Sequence, residues 1–112
     1  MTDQELESLL DDCESDRTER KESVSDTDKI RKTICAFAND MPNHRLPGVI
    51  FIGAHDDGSP ADLQITDEII KTLTSMRLDG AIQPLPTMAV QKRHLKGGDM
   101  AVVFVEPSDA PP

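Results

Sequence analysis

Aromatic residues are scarce in this chain: 112 residues carry three Phe and no Trp or Tyr. Any core must therefore be filled by Ile, Leu, Val and Met. Cysteine is scarce too, with only Cys13 and Cys35 present, which excludes a disulfide framework. Cys35 sits in an apolar helical pattern and reads as a small buried hydrophobe. No apolar run approaches the roughly 20 residues that a membrane span needs. The N-terminus is acidic, without the apolar stretch of a signal peptide. A soluble, cytoplasmic protein is the expectation. There is no Gly-x-x-x-x-Gly-Lys loop to cradle a nucleotide. His44, His55 and His94 are scattered, without the spacing of a zinc site. No Ser-His-Asp or Cys-His arrangement is evident.

Basic charge is also missing from one region. Residues 1–16 hold seven acids (Asp3, Glu5, Glu7, Asp11, Asp12, Glu14 and Asp16) and no Lys or Arg. Setting those seven aside takes the net charge from −9 to −2. The body of the chain is thus nearly balanced and can carry a basic face. The length suits one domain with one modest core.

Residues 1–13 read as an acidic leader with a short helix, in which Leu6, Leu9 and Leu10 fall at i, i+3 and i+4. It either docks loosely or stays solvated. Residues 16–22 are mostly charged and read as a loop or an edge strand. Ser25 or Asp26 is placed to cap a helix running to about Asn39, with Ile30, Ile34, Phe37 and Ala38 as its apolar face. Asn39 caps or orders the end of that helix, and Pro42 forbids its continuation. Gly48 to Gly53 is continuously apolar, as expected of a strand covered on both faces. Asp56-Asp57-Gly58-Ser59-Pro60 is a turn cluster. Thr66 caps a second helix with Asp67 and Glu68 in its first turn, where the helix dipole favours acids. Ile69, Ile70, Leu73 and Met76 form its buried stripe, and Asp79-Gly80 ends it. Two strands follow, Thr87 to Leu95 and Asp99 to Val105, joined across Lys96-Gly97-Gly98. Glycine there signals a hairpin, because primed turns need positive φ.

The element order predicts an α+β fold: a mixed sheet with two helices on one face. The order strand, helix, strand, helix, strand, strand is that of an Alba-like two-layer sandwich. The segments Glu14, Glu19-Arg-Lys21, Ala36-Phe-Ala-Asn39, Phe51-Ile-Gly53 and Asp56-Asp57-Gly58 carry a closer likeness. In that order and spacing they resemble the Schlafen AlbA-2 domain, over residues 14–112. The resemblance promotes residues 16–22 to a first strand. It also implies that the domain is cut short at its C-terminus, so that the chain is the N-terminal piece of a longer protein with a C-terminal partner domain.

The resemblance implies a nucleic-acid-binding module, a DNA-binding domain of transcription-regulator type, acting on DNA or RNA within a larger chain or a dimer. Phosphate contacts from basic side chains would supply most of the affinity. Lys21, Arg45, Lys92, Arg93 and Lys96 are the candidates, the last three on the arm and turn of the hairpin. With so few aromatics, base stacking contributes little. Some Schlafen relatives are RNA endonucleases with two Glu and one Asp around a divalent metal. The two Glu fall on Glu14 and Glu19; the Asp aligns with His55, leaving Asp56 or Asp57 as the third carboxylate. Mg²⁺ or Mn²⁺ would be the cofactor of that alternative only. Glu14 and Glu19 are five apart, so on one regular strand they would face opposite ways. A third reading is a protein-interaction domain with no nucleic-acid role.

Overall fold

The computed structural model describes residues 1–12, 17–39, 47–76 and 87–106. Its elements run α1 (Asp3–Asp11), β1 (Thr18–Lys21), α2 (Thr27–Asn39), β2 (Gly48–Ile52), α3 (Asp67–Ser75), β3 (Met88–Leu95) and β4 (Gly98–Val105). The described strands form a four-stranded mixed sheet in the order β1-β2-β4-β3. β1 pairs parallel to β2, whereas β2 and β3 pair antiparallel to β4. The expected α+β architecture is therefore present, and the charged segment that resembled an edge strand is one.

The two apolar runs take the central places. Every residue of β2 is buried, because alternate side chains enter two different cores. Ile50 and Ile52 join Ala101, Val103 and Val105 of β4 beneath α2 and α3, and Ile30, Ile34 and Ala38 of α2, Leu73 of α3, its C-cap Met76 and the preceding Ile65 complete that cluster. Val49 and Phe51 point the other way, with Met100, Val102 and Leu95. That second face is covered by α1. Leu6 and Leu10 of α1 are fully buried against it, with Leu9 partly so. Full burial of a leucine contributes about 1.5–3 kcal/mol, so the acidic leader is a packed part of the fold rather than a solvated tail.

The local signals hold where they were strong. Thr2 caps α1 in a reciprocal capping box with Glu5, which depresses the Glu5 pKa through the backbone and side-chain hydrogen bonds of Thr2. The Asp26 carboxylate accepts the Lys29 N–H at 3.2 Å at the start of α2. Thr66 accepts the Ile69 N–H at 3.3 Å at the start of α3. Asn39, the last residue of α2, donates its side-chain N–H to Cys35 Sγ, 3.6 Å away and one turn back. Cys35 itself is half-buried rather than buried. α3 ends at Ser75 with Met76 as its C-cap, short of the expected end at Asp79-Gly80, two residues that lie outside the described ones.

The hairpin turn is tighter than the Gly-Gly pair suggested. Lys96 and Gly97 take positive φ (56° and 83°), while Gly98 already belongs to β4. Gly98 is needed for a different reason: a Cβ there would run into the Pro60 ring at 2.4 Å.

Candidate nucleic-acid interface

Strand periodicity decides where the candidate cations go. On β3, Arg93 stands opposite Met100 and Leu95 opposite Gly98, which puts Arg93 on the α1 face. Lys92 stands opposite Ala101, on the face of α2 and α3. The three neighbours Lys92, Arg93 and His94 therefore alternate between two faces of an edge strand. Lys96 projects from the turn beyond it.

Each of these basic residues has an acidic neighbour. Lys92 Nζ lies 3.8 Å from Asp99 Oδ2, and the His94 ring Nδ1 lies 2.9 Å from Asp99 Oδ1. The hydrogen bond from His94 and the nearby Lys92 charge hold the Asp99 carboxyl below its usual pKa. Arg93 reaches α1: Nη1 donates to Asp3 Oδ1 at 2.6 Å and Nη2 to the Met1 carbonyl at 3.0 Å. The Gln91 side chain orients the same guanidinium, accepting from Nε at 2.9 Å. Lys96 also meets α1, with Nζ 2.8 Å from both Asp11 carboxylate oxygens and its backbone N–H on Glu7 Oε2 at 2.7 Å. Arg93 and Lys96 remain 25% and 33% exposed at their side chains. They are reachable from solvent, but their charge is already balanced.

Lys21 lies on β1 beside Glu19, with 3.7 Å between Nζ and Oε1. Two residues apart on one strand, they share a face. By register with Ile50 and Ile52 it is the face of α2 and α3. Arg45 lies outside the described residues. Lys21 and the hairpin cations are thus on opposite edges of the sheet.

The acidic candidates are only partly on view. Glu14 lies outside the described residues. Asp56 is exposed in the turn. Asp57 spends its carboxylate locally, accepting from the Ser59 N–H at 2.9 Å and the Ser59 hydroxyl at 2.6 Å. These two bonds lower its pKa. His55 pairs with Glu22. Among the described residues no three His, Cys, Asp or Glu side chains come together as a metal-binding group. Asp11, Asp57, Gly58, Ser59, Pro60 and Lys96 line an open depression of about 250 Å³ where the turn after β2 meets the end of α1.

One further contact on this face leaves no local trace in the sequence. Arg20, between Glu19 and Lys21 on β1, points to the α1 face. Its Nη2 donates to the carbonyls of Leu9 (3.1 Å), Leu10 (2.7 Å) and Asp12 (3.1 Å), and its Nε donates to Leu10 at 3.2 Å. A guanidinium on the last carbonyls of a helix satisfies orphan acceptors and complements the dipole. Arg20 therefore fixes the end of α1 and, with it, the acids that meet the hairpin.

Gly58 presses on the same place. Its φ is +88°, and a Cβ there would come within 2.6 Å of the Leu10 carbonyl oxygen. Gly58→Ala is expected to cost about 2 kcal/mol or more in chemical denaturation. Gly97→Ala is the matched control, since its φ is also positive but nothing lies within 4 Å of the added carbon. Equal losses in the two variants would show that the turn does not bear on α1.

Comparison with known proteins follows the fold. The family model described as Schlafen, AlbA_2 matches residues 14–112. The chain belongs to the Schlafen AlbA_2 family. A solved relative of this AlbA_2 chain is the N-terminal domain of a Nitrosomonas europaea protein described as related to the ATP-dependent DNA helicase RecG. The two share 26% identity with a TM-score of 0.68, over 92% of this chain and 73% of that one. No curated protein matches the AlbA_2 chain. Among its described residues no helix is long and apolar enough to cross a membrane.

Proposed function

We propose that this chain is a nucleic-acid-binding AlbA_2 domain of a larger protein, of the kind that serves a DNA-directed regulator. The reading rests first on the structural likeness to the N-terminal domain of a protein described as helicase-related. The hairpin supplies chemistry consistent with it. Lys92, Arg93, His94 and Lys96 cluster at one corner of the sheet, all at least partly exposed. Cations on an edge strand can straddle a backbone and hold its phosphates without reading sequence. Lys21 and Arg45 are further contacts in this reading, and pairing of two copies would double the charge presented.

Titration of a labelled 20-base-pair duplex and of tRNA against the protein, across salt concentrations, tests this. Log affinity is expected to fall linearly with log salt, by about 0.9 per phosphate neutralised on a duplex. Two to four contacts thus give a slope of roughly −2 to −4. Absence of binding to duplex, single strand and tRNA at low salt would sink the reading and favour a protein-interaction domain. The same mixture is run with Mn²⁺ and with EDTA. Metal-dependent fragments would instead support the nuclease alternative built on Glu14, Glu19 and Asp56 or Asp57.

A further inference from the structure

We infer that α1 is a built-in acidic competitor, which occupies Arg93 and Lys96 as nucleic-acid phosphates would and so holds down the domain's own affinity. This rests on the nucleic-acid-binding reading above and adds a regulatory element to it. Three observations carry it.

The first is placement. Asp3, Glu7 and Asp11 are spaced four apart, so they form one stripe along the helix. Successive carboxylates stand about 6 Å apart along its axis, comparable to the separation of successive phosphates on one strand. All three touch the hairpin and no other acid of α1 does: Asp3 holds Arg93, Asp11 holds Lys96 Nζ, and Glu7 holds the Lys96 backbone N–H.

The second is independence. α1 is attached by other means, through Leu6 and Leu10 in the second core and Arg20 on its terminal carbonyls. The acidic stripe is therefore not needed to seat the helix. Solvent-exposed ion pairs of this kind add little stability. What they do change is the potential at the hairpin corner, where two of the candidate phosphate contacts are neutralised in advance.

The third is charge economy. Residues 1–16 concentrate seven acids without one Lys or Arg, while the remainder of the chain is nearly balanced. A phosphate backbone approaching the hairpin must displace Asp3 and Asp11 from Arg93 and Lys96, or meet their repulsion. Binding and the α1 pairing are thus in direct competition.

The test neutralises the stripe and leaves its anchors intact: Asp3→Asn, Glu7→Gln and Asp11→Asn together. The control changes net charge by the same amount elsewhere, with Asp28→Asn, Glu68→Gln and Glu106→Gln, on α2, on α3 and just past the end of β4. Far-UV circular dichroism confirms that both variants keep the fold. The stripe variant is expected to bind a 20-base-pair duplex on the order of tenfold more tightly than the control variant. Its salt slope should be steeper by about two, one for each released cation. Adding Arg93→Gln and Lys96→Asn to the stripe variant should abolish that gain. Equal gains in stripe and control variants would overturn the inference, since net charge alone would explain them. A gain that survives loss of Arg93 and Lys96 would overturn it as well. If the wild type binds and the stripe variant binds no tighter, the competitor is refuted and the binding reading stands. If no variant binds nucleic acid at low salt, the binding reading falls and takes the competitor with it.

Discussion

Neutralising Lys92, Arg93 and Lys96 together is expected to lower affinity for duplex DNA or tRNA by on the order of 100-fold at low salt. The substitutions are Lys92→Gln, Arg93→Gln and Lys96→Asn. Asparagine is chosen at position 96 because the backbone there has a φ of 56°, which Asn tolerates better than most residues. Two effects act in the same direction. Up to three phosphate contacts are lost, which should flatten the salt slope by about 0.9 for each. Asp3 and Asp11 also lose the partners that balanced them and add repulsion at the same corner. Single substitutions are expected to do much less, because each cation is already shared with an acid. The fold should survive the change, since partly exposed pairs of this kind are worth at most about 1 kcal/mol each. Unchanged affinity in the triple variant, measured by fluorescence anisotropy, would exclude the hairpin as the interface.

Phe51→Ala is expected to be the most damaging single substitution for stability, by about 3–5 kcal/mol. Phe51 is fully buried in the middle of β2, between Thr18–Lys21 on one side and β4 on the other. Its ring is the largest side chain in the cluster that also holds Leu6, Leu10, Val49, Leu95, Met100 and Val102. Alanine would leave a void between the sheet and α1 that a nine-residue helix cannot close without moving. Domains of this size are stable by only about 5–15 kcal/mol. Such a loss should lower Tm by at least about 10 °C, while Phe51→Leu, which keeps much of the volume, should cost far less. A loss under about 1 kcal/mol for Phe51→Ala, read from urea titration, would mean that α1 does not pack on this ring.

The parts of this fold that were legible in the sequence are those written in local pattern. The unbroken apolar run from Gly48 to Gly53 marked a strand covered on both faces, and β2 occupies the centre of the sheet beside β4. Thr66 before Asp67-Glu68 marked the start of α3, and glycine beside Lys96 marked the hairpin. What covers the second face was not written locally. A stripe of Leu6, Leu9 and Leu10 says that a helix has something to bury, but not against what. The answer depends on Phe51 and Met100, some forty and ninety residues away. Arg20 was hidden for the same reason. Among charged neighbours it looks like solvent-facing filler, and only the position of the α1 carbonyls gives it a task.

The candidate site was less legible. Lys92 and Arg93 look like one basic patch in sequence, yet strand alternation sends them to opposite faces. That much could have been read from the period of two. Their pairing with Asp99 and Asp3 could not, because ion pairs between distant segments leave no local trace. The nuclease alternative turns on Glu14, which lies outside the described residues.

The burial of Leu6 and Leu10 separates two meanings of a domain boundary. Likeness to the Schlafen AlbA_2 family starts at residue 14, where the shared residue pattern starts. The physical unit starts earlier, at Thr2 and its capping box. A protein trimmed to the shared pattern would lose the lid over Phe51, Met100 and Val102 and turn an interior into an oily surface. Such a patch invites self-association, and a sticky fragment can mimic a genuine partner in any assay that reads complex size. In this chain, the residue pattern shared with the family and the packed unit have different first residues.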